Sequence, residues 1–511
     1  MKRLMKFLMS RVVIVGVLIL LQLLFVLLAV MRFSEYIGVF YGLFTLVDLA
    51  VVCKIISTRE NPSYKTAWII LVLSVPPFGV AMYFLFRGNQ LSEKFKKILA
   101  NIYSLMSFSS PDDSKTVLEA VDEPSAVRQA EYIARATNCP PYADTDVYYY
   151  PTGEDFLAAL LCELEKAEKY IFMEYFIIEK GEMWNSIHDI LMRKVSAGVD
   201  VRVVYDDLGC INHLSSRFHK ELSAEGIKCR VFNRFIPILS ARLNNRNHRK
   251  ICVIDGKVGF TGGVNIADEY INVKHLYGYW KDNAVKLCGK AVHSLTVMFL
   301  SMWDSLDVKD LKRDPDYNSY IPVAYEPAKG GGIVQPYTDN PLDDSPVGET
   351  VYLNMIYSAK NYIYITTPYL IIDYTMERAL CSAAESGIDV RIVVPGIPDK
   401  RIVNEATKSN YHRLIASGVR IYEYTPGFIH AKTFVADGKF AVVGTVNLDF
   451  RSLYLHFECG VWMYNAEVIK EIRADFDKIF TDSTEVSEEM LKVGVVKRIF
   501  RSVIELFSPL F

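Results

Sequence analysis

The sequence predicts an α/β protein in which two similar lobes follow a group of transmembrane helices at the amino terminus. A polar sequence pattern, with the hydrophobic segments around it, occurs twice at a separation of 182 residues. Before the first copy, three apolar runs lie within residues 12–86. About 400 residues follow those runs, which is enough chain for two lobes that share a core.

The repeated pattern is His-x-Lys-x4-Asp-x6-Gly-small-x-Asn. The first copy consists of His248, Lys250, Asp255, Gly262, Gly263 and Asn265, and the second of His430, Lys432, Asp437, Gly444, Thr445 and Asn447. With ordinary amino-acid usage, such a pattern arises by chance at fewer than about one starting position in a million. A single histidine is more often an ordinary structural residue, but two complete copies indicate a duplicated functional unit.

Paired His, Lys and Asn residues suit the cleavage of a phosphodiester without a metal ion. One imidazole can attack phosphorus as a nucleophile, and a second can protonate the leaving oxygen. Two ammonium groups can stabilise the phosphoryl oxygens, as magnesium does in other phosphoryl-transfer enzymes, and the asparagine amides add uncharged donors. Because neither copy holds a complete acid–base pair, we expect both to converge on one cleft, with no metal or cofactor.

The duplication extends to the segments around the pattern. Residues 169–174 resemble residues 361–366, and residues 198–204 resemble residues 387–393. At the start of residues 198–204 and of residues 387–393, a glycine separates a preceding helical stretch from a β-branched run. This alternation predicts strand–helix–strand units and a largely parallel sheet.

A buried strand is predicted directly after each motif lysine, at residues 251–254 and 433–436. Since side chains alternate with period two along a strand, the His and Lys of each motif should share one face at a strand edge. The Asp-Gly pairs that follow, at Asp255 and Asp437, predict hairpin turns. An aspartate that opens a turn is often structural, so these two residues are candidates for either a structural or a catalytic role.

The three apolar runs indicate an integral membrane protein. Residues 12–31 contain no charge and are long enough to span a bilayer, which takes about 20 residues; a signal peptide, the alternative, usually has a shorter apolar core. A second run, residues 36–53, follows at once. The third, residues 66–86, has Pro76 and Pro77 at its centre, which favours either a tolerated kink or a re-entrant break. Basic residues flank every run, so the positive-inside rule decides neither the number of full spans nor the membrane face of the lobes.

The apolar runs and the repeated segments divide the chain into five predicted segments. They are a membrane region at residues 1–90, a linker at 91–125, a first lobe at 126–330, a second lobe at 331–490 and an amphipathic helix at 491–511. The last segment mixes basic and apolar residues, which is typical of a helix on an anionic membrane surface; packing on the protein itself is the alternative.

Composition argues against a nucleic-acid partner, a zinc site and a disulfide framework. The formal net charge is −2, and no basic stripe suggests a nucleic-acid partner. The nine cysteines are scattered without a Cys-x-x-Cys pair, which predicts neither a zinc site nor a disulfide framework.

The duplicated pattern resembles the HKD motif of the phospholipase D superfamily, and further segments resemble bacterial cardiolipin synthases. These segments are residues 61–68, 172–176, 368–370, 398–400, 427–432 and 447–452. The resemblance extends from about residue 60 to the end of the chain, although the first apolar run departs from the commoner layout of two spans. It implies two phospholipase D-like α/β lobes that meet about a pseudo-twofold axis, with the active site in the seam.

The resemblance also implies roles for individual residues. In the superfamily, an acidic residue downstream of each motif orients the catalytic imidazole, much as the aspartate of a Ser-His-Asp triad does. Asp282, 34 residues after His248, and Glu458, 28 residues after His430, occupy such places. The expected phosphate-binding residues are Lys250, Lys432, Asn265 and Asn447, with the neighbouring Gly263 and Thr445.

The implied reaction is phosphatidyl transfer between two phosphatidylglycerol molecules through a phosphatidyl-histidine, which gives cardiolipin and glycerol. By analogy we expect His248 to be the nucleophile and His430 the general acid and then base, although the sequence symmetry also allows the reverse. Water or another lipid alcohol, such as phosphatidylethanolamine, is the alternative acceptor. A nuclease and a non-catalytic scaffold are disfavoured by the charge balance and the two complete motifs. The expected setting is the bacterial plasma membrane, with an anionic membrane as partner and no nucleic acid; the sequence leaves homo-oligomers open.

Overall fold

Two mixed β-sheets, one in each half of the chain, form the framework of the protein. The computed structural model describes residues 17, 20–21, 23–25, 27–28, 31–32, 37–75, 78–87, 95–99, 102, 111–235, 244–307, 317–322, 324–342 and 345–510. The first half contains β1 (Thr145–Tyr150), β2 (Tyr170–Tyr175), β3 (Asp200–Asp206), β4 (Lys228–Phe232), β5 (Arg246–Asn247), β6 (Lys250–Ile254), β7 (Val258–Gly262), β8 (Tyr279–Lys281) and β9 (Ala284–Gly289). Seven of these strands form one sheet in the order β1-β9-β7-β6-β2-β3-β4.

The second half repeats this order. Its strands are β10 (Ile333–Asp339), β11 (Tyr362–Thr366), β12 (Asp389–Pro395), β13 (Arg420–Tyr424), β14 (Gly427–Ile429), β15 (Thr433–Ala436), β16 (Phe440–Gly444), β17 (His456–Tyr464) and β18 (Ser483–Glu485). Eight of them pair in the order β10-β17-β16-β15-β11-β12-β13-β18. The motif strands β6 and β15 therefore occupy equivalent central places, which is the internal symmetry that the duplication predicts.

The prediction of a largely parallel sheet was wrong. In the first sheet only β2–β3 and β3–β4 are parallel, and the other four pairs are antiparallel. The reason is that each motif strand turns back in a tight hairpin, β6–β7 or β15–β16, which inserts antiparallel strands beside the parallel ones.

Helices cover the sheets and precede them at the amino terminus. They are α1 (Ile37–Ser57), α2 (Pro62–Ser74), α3 (Phe78–Phe86), α4 (Pro111–Glu119), α5 (Pro124–Thr137), α6 (Gly153–Leu164), α7 (Glu182–Ser196), α8 (Phe218–Ala224), α9 (Val292–Ser305), α10 (Val347–Ser358), α11 (Tyr374–Glu385), α12 (Arg401–Ser409), α13 (Tyr411–Ala416), α14 (Phe450–Tyr454), α15 (Ile469–Thr481) and α16 (Val495–Phe507). Helices α9 and α15 lie between the halves, where Met298 and Phe476 share one buried core with Val253 of β6 and Val435 of β15. This shared core holds the two sheets together at the seam.

Helix α5, which the predicted boundaries place mostly in the first lobe at residues 126–330, packs on the second lobe. Ala126, Ala130 and Ile133 lie on one face of α5 and pack into the core of the second lobe, and Gln335 Nε2 donates to Ala130 O at 3.0 Å. An apolar stripe at this spacing needs a partner surface, and α5 finds it on the second lobe although it precedes the first. The predicted linker also contains a helix, α4.

The third apolar run forms two short helices, α2 and α3, which we call the apolar hairpin. The Trp68 and Tyr83 rings are 5.5 Å apart. At Gly79, a Cβ would lie 2.3 Å from the carbonyl oxygen of Leu71, so only glycine allows the two helices to approach this closely. Pro76 and Pro77, between the helices, lie outside the described residues.

Among the described residues, no helix combines the length and the apolar character needed to cross a membrane. Of the first predicted span, residues 12–31, only isolated positions are described.

Candidate active site

Each motif histidine lies where a strand of one lobe meets a strand of the other. β5, just before His248, pairs in parallel with β17 of the second lobe, and β14, just before His430, pairs in parallel with β8 of the first lobe. The His248 backbone N–H donates to Phe457 O at 2.9 Å, and that of His430 donates to Lys281 O at 2.7 Å. The two lobes therefore exchange short strands, and this exchange brings both motifs into one site.

The exchange also decides which carboxylate contacts which imidazole. His248 Nδ1 lies 2.9 Å from Glu458 Oε1 and 3.0 Å from Oε2, and His430 Nδ1 lies 2.7 Å from Asp282 Oδ2. We expected each carboxylate to serve the histidine of its own motif, and this pairing was wrong. Because β8 ends and β17 begins beside the opposite lobe's motif, Asp282, just after β8, and Glu458, near the start of β17, reach the opposite histidine.

The two motif lysines are buried against the histidine backbones. Lys250 Nζ donates to His248 O at 2.6 Å, and Lys432 Nζ donates to His430 O. Burial lowers the pKa of Lys250 to about 8 and that of Lys432 to about 7. An anionic ligand would restore their charge, because an opposite charge nearby favours the protonated form.

Burial lowers the pKa of both motif imidazoles in the free protein. Burial, and next the Lys250 and Lys432 ammonium groups, hold the pKa of His248 well below its usual range. Burial, and next Lys432, lower the pKa of His430 to about 4 despite the opposing effect of Asp282. Since Nδ1 of each ring faces a carboxylate, Nε2 is the atom left for substrate.

A cavity of about 880 Å³, the catalytic cavity, joins the predicted site residues. It is lined by His248, His430, Asn265, Asn447, Phe176, Leu208, Tyr270, Trp280, Tyr369, Lys400, Arg401, Arg451 and His456, among others. Asn265 is held by hydrogen bonds from Ile177 N at 3.0 Å and to Tyr270 OH at 2.7 Å, whereas the buried Oδ1 of Asn447 has no partner among the described residues. Two imidazoles, two amides and a basic wall suit an anionic phosphodiester.

Comparison with known proteins agrees with this geometry. A family profile described as "Cardiolipin synthase, PLD-like domain" matches residues 160–303 and 352–480, more than half of the chain. The chain belongs to the cardiolipin synthase family. Members of this family are membrane-associated phosphatidyltransferases of the phospholipase D superfamily, and a profile described as "Phospholipase_D-nuclease N-terminal" matches residues 46–88, from within α1 to just past the apolar hairpin.

Similar proteins include relatives that align over nearly the whole chain. An uncharacterised protein of Streptococcus mutans is 41% identical over 90% of this chain and 99% of its own length. A cardiolipin synthase of Geobacillus kaustophilus is 34% identical over 93% of this chain and 95% of its own length. Among solved structures, a phosphatidylserine synthase of Haemophilus influenzae covers 76% of this chain and 100% of its own, with a TM-score of 0.56 and 15% identity, a likeness of fold.

Two aspartates expected as catalytic candidates anchor turns instead. Asp255 accepts hydrogen bonds from the backbone N–H groups of residues 168, 169 and 170, each at 2.8 Å. Asp437 accepts equivalent bonds from residues 360, 361 and 362 at 2.7–3.0 Å. Each carboxylate accepts three backbone hydrogen bonds, so of their two candidate roles the geometry supports the structural one.

Gly263 and Thr445 also differ from the expectation that they bind phosphate. The Thr445 hydroxyl donates to Glu458 Oε2. A Cβ at Gly263 would lie 1.9 Å from Asp282 Oδ1, so the small residue makes room for that carboxylate. In both motifs this position supports the carboxylate that reaches the opposite histidine.

Four aromatic rings lie beside the histidines, and of these the sequence pointed only to Phe176, within the segment 172–176. Phe176 and His456 lie 5.0 and 5.5 Å from the His248 ring, and Tyr270 and Trp280 lie 5.4 and 5.5 Å from the His430 ring. Trp280 and His456 each precede the histidine-binding carboxylate by two residues, a regular offset that could have revealed them.

One cluster among the described residues has the composition of a metal site. The ligand atoms of His248, His456 and Glu458 lie within 4.8 Å of one another. Glu458 already binds the Nδ1 atom of His248, so a metal there would compete with the contact that orients this imidazole.

Proposed function

We propose that the protein is a cardiolipin synthase that transfers a phosphatidyl group from one phosphatidylglycerol to another, giving cardiolipin and glycerol. The main support is the crossed arrangement in which each motif histidine binds a carboxylate of the opposite lobe at one basic cavity. Two oriented imidazoles on one cavity provide a nucleophile and a proton carrier, which is what a two-step transfer requires. The relatives named as cardiolipin synthases supply the substrate class.

In the first step, His248 Nε2 attacks the phosphorus of the donor lipid. The bond from phosphorus to the glycerol oxygen breaks. His430, whose pKa the bound anionic phosphodiester raises so that it enters this step protonated, gives its proton to that oxygen. A phosphatidyl-histidine and free glycerol result. Glu458 stabilises the positive charge that develops on the His248 ring, as the aspartate does in a Ser-His-Asp triad.

In the second step, the primary hydroxyl of a second phosphatidylglycerol attacks the phosphatidyl-histidine. His430, now neutral, accepts the hydroxyl proton, the bond from phosphorus to His248 breaks, and cardiolipin forms. The Lys250 and Lys432 ammonium groups and the Asn447 amide stabilise the phosphoryl oxygens in both steps. No proton is gained or lost over the cycle.

We further propose that the protein is a multi-pass protein of the bacterial plasma membrane, held there by its apolar amino-terminal runs and by α16. Ile504 of α16 is buried against Ala406 and Phe450, and Lys497 and Arg501 pair with Glu405. On the other side of α16, apolar side chains such as Val496 and Ile499 are 84% and 60% exposed. Exposed apolar groups on a helix with basic residues suit insertion into an anionic lipid surface. We therefore propose that α16 packs on the protein with one side and lies on the membrane with the other, which combines the two alternatives left open by the sequence.

The product mixture tests the proposed function. The purified protein is incubated with phosphatidylglycerol alone, without added metal, and the lipids and glycerol are quantified by mass spectrometry. We expect cardiolipin and glycerol in equal amounts. His248→Ala and His430→Ala should each abolish turnover while the protein still inserts into membranes. Phosphatidic acid as the sole lipid product, or full activity in either variant, would refute the proposal.

A further inference from the structure

A second cavity lies between the start of the apolar hairpin and the second lobe. It has a volume of about 510 Å³, and we call it the hairpin cavity. Asn61, at the start of α2, lines one side, and Glu349, Asp373 and Tyr454 of the second lobe line the other.

The hairpin cavity adjoins the catalytic cavity. Phe450 and His456 line both, and the His456 ring is 5.5 Å from that of His248. The His456 side chain is only 11% exposed. Nδ1 of His456 lies 3.6 Å from Glu458 Oε1, whereas Nε2 has no hydrogen-bond partner among the described residues. A buried imidazole nitrogen without a partner at such a junction is expected to hydrogen-bond a ligand.

A hydrogen-bond network fixes the carboxylates of the hairpin cavity. The Tyr454 hydroxyl donates to Glu349 Oε1 at 2.6 Å. Asn61 Nδ2 donates to Asp373 Oδ2 at 2.8 Å and to the Tyr454 oxygen at 3.1 Å. The network links the apolar hairpin to the second lobe and holds Glu349 and Asp373 at the cavity wall.

The two cavities differ in charge. The hairpin cavity has one cationic residue, Arg59, against four carboxylic acids, which include Glu349 and Asp373. The catalytic cavity has four cationic residues, which include Lys400 and Arg451, against three carboxylic acids. Burial raises the pKa of Glu349 to about 7, so the four acids do not all carry a full charge at neutral pH. Their excess over Arg59 still disfavours a phosphodiester in the hairpin cavity, whereas an uncharged alcohol can enter both cavities.

We propose that the hairpin cavity is a polyol subsite that binds the glycerol released from the donor lipid. This inference rests on the proposed function. Carboxylates accept hydrogen bonds from the hydroxyl groups of a polyol, and Glu349, Asp373 and His456 provide acceptors along a path that leaves the catalytic cavity. The same residues bind glycerol when it attacks the phosphatidyl-histidine in the reverse of the first step.

Competition between two alcohols tests this subsite. The full-length protein in mixed micelles of phosphatidylglycerol receives equal concentrations of labelled glycerol and 1-butanol. Both can attack the phosphatidyl-histidine, but only glycerol has the additional hydroxyl groups that the subsite recognises. The measured quantity is the ratio of labelled phosphatidylglycerol to phosphatidylbutanol.

We expect wild-type protein to favour glycerol and Glu349→Leu to lower the ratio about tenfold, as for the loss of one or two hydrogen bonds. Tyr454→Phe, which removes only the hydroxyl that holds Glu349, should lower it about threefold. Glu485→Gln, on the distant edge strand β18, should leave the ratio at the wild-type value.

A ratio unchanged in both subsite variants, or an equal fall of both products, would overturn the polyol subsite. If Glu349→Leu fails to fold, Tyr454→Phe decides alone. Absence of transfer to either alcohol in wild-type protein would instead refute the proposed function, and the polyol subsite with it.

Discussion

At the scale of single residues, the exchange of carboxylates between lobes separates the roles of the two histidines. Glu458 orients His248, so Glu458→Gln should slow formation of the phosphatidyl-enzyme about 10³–10⁴-fold, as for loss of the carboxylate in a Ser-His-Asp triad. Asp282→Asn disturbs His430, the proton carrier, and should leave that step intact when the leaving group needs no acid. A burst assay with a phosphatidyl p-nitrophenyl ester measures this step. A burst that is slow in Asp282→Asn and fast in Glu458→Gln would assign the roles in reverse.

The lowered pKa values of the motif lysines predict the alkaline limb of activity. With the p-nitrophenyl donor, kcat/KM should be constant near pH 6 and fall as the pH rises through about 7 and 8, where Lys432 and Lys250 lose their protons. The sign follows because burial lowers these pKa values, so that the stabilising charge disappears at a lower pH than in an ordinary lysine. Lys432→Arg should move the limb upward, since guanidinium stays protonated. A profile flat to pH 9 in wild-type protein would contradict this assignment.

The sequence predicted the His, Lys and Asn pairs, because a repeated polar pattern is visible along the chain. It could not predict that Asp282 binds His430 and Glu458 binds His248. That pairing depends on where β8 and β17 lie relative to the opposite lobe, which is a tertiary property with no local signal.

At the scale of elements, the Asp-Gly turns anchor the motif strands. Asp255→Ala removes three charge-assisted bonds to backbone N–H groups and should destabilise the fold by about 2–3 kcal/mol, which lowers the Tm by several degrees. The protein that remains folded should keep its kcat within about twofold, because Asp255 does not line the catalytic cavity. Thermal unfolding and activity per folded molecule measure the two effects. Asp255→Asn, which retains an acceptor, is the milder control, and a large loss of kcat at unchanged Tm would restore a catalytic role.

Helix α16 is predicted to place its exposed apolar face in lipid. Val496→Trp adds a fluorophore to that face, and vesicles of brominated phosphatidylglycerol should quench it more strongly than the native tryptophans. Glu467→Trp, at an exposed site beyond β17, is the matched control and should gain little quenching. Equal quenching of both variants would show that α16 faces water.

The third apolar run shows what pattern alone misses at this scale. Apolar composition predicted its helical character, but not the close approach of α2 and α3 at Gly79, which turns the run into the apolar hairpin. Nor could hydrophobicity show that Asn61 would bind Asp373 and Tyr454, more than 300 residues later.

At the scale of the whole molecule, duplication explains the architecture, and its departures from symmetry distinguish the two histidines. The strand order of both sheets repeats, and the repeat was visible as paired segments in the sequence. The antiparallel strands β7 and β16, which follow the motif strands through tight hairpins, make both sheets mixed. The alternation of helical and β-branched segments in the sequence could not show this. Equivalent positions differ at Trp280 and His456, so the surroundings of the two histidines are chemically distinct.

The central claim is that both lobes build one site in which His248 forms the covalent intermediate. The most direct test is to treat His430→Ala with the phosphatidyl p-nitrophenyl ester and to locate the adduct by peptide mass spectrometry. We predict one equivalent of p-nitrophenolate and a phosphatidyl group on the peptide that contains His248. Absence of an adduct, with the same experiment on His248→Ala labelling His430, would contradict the account.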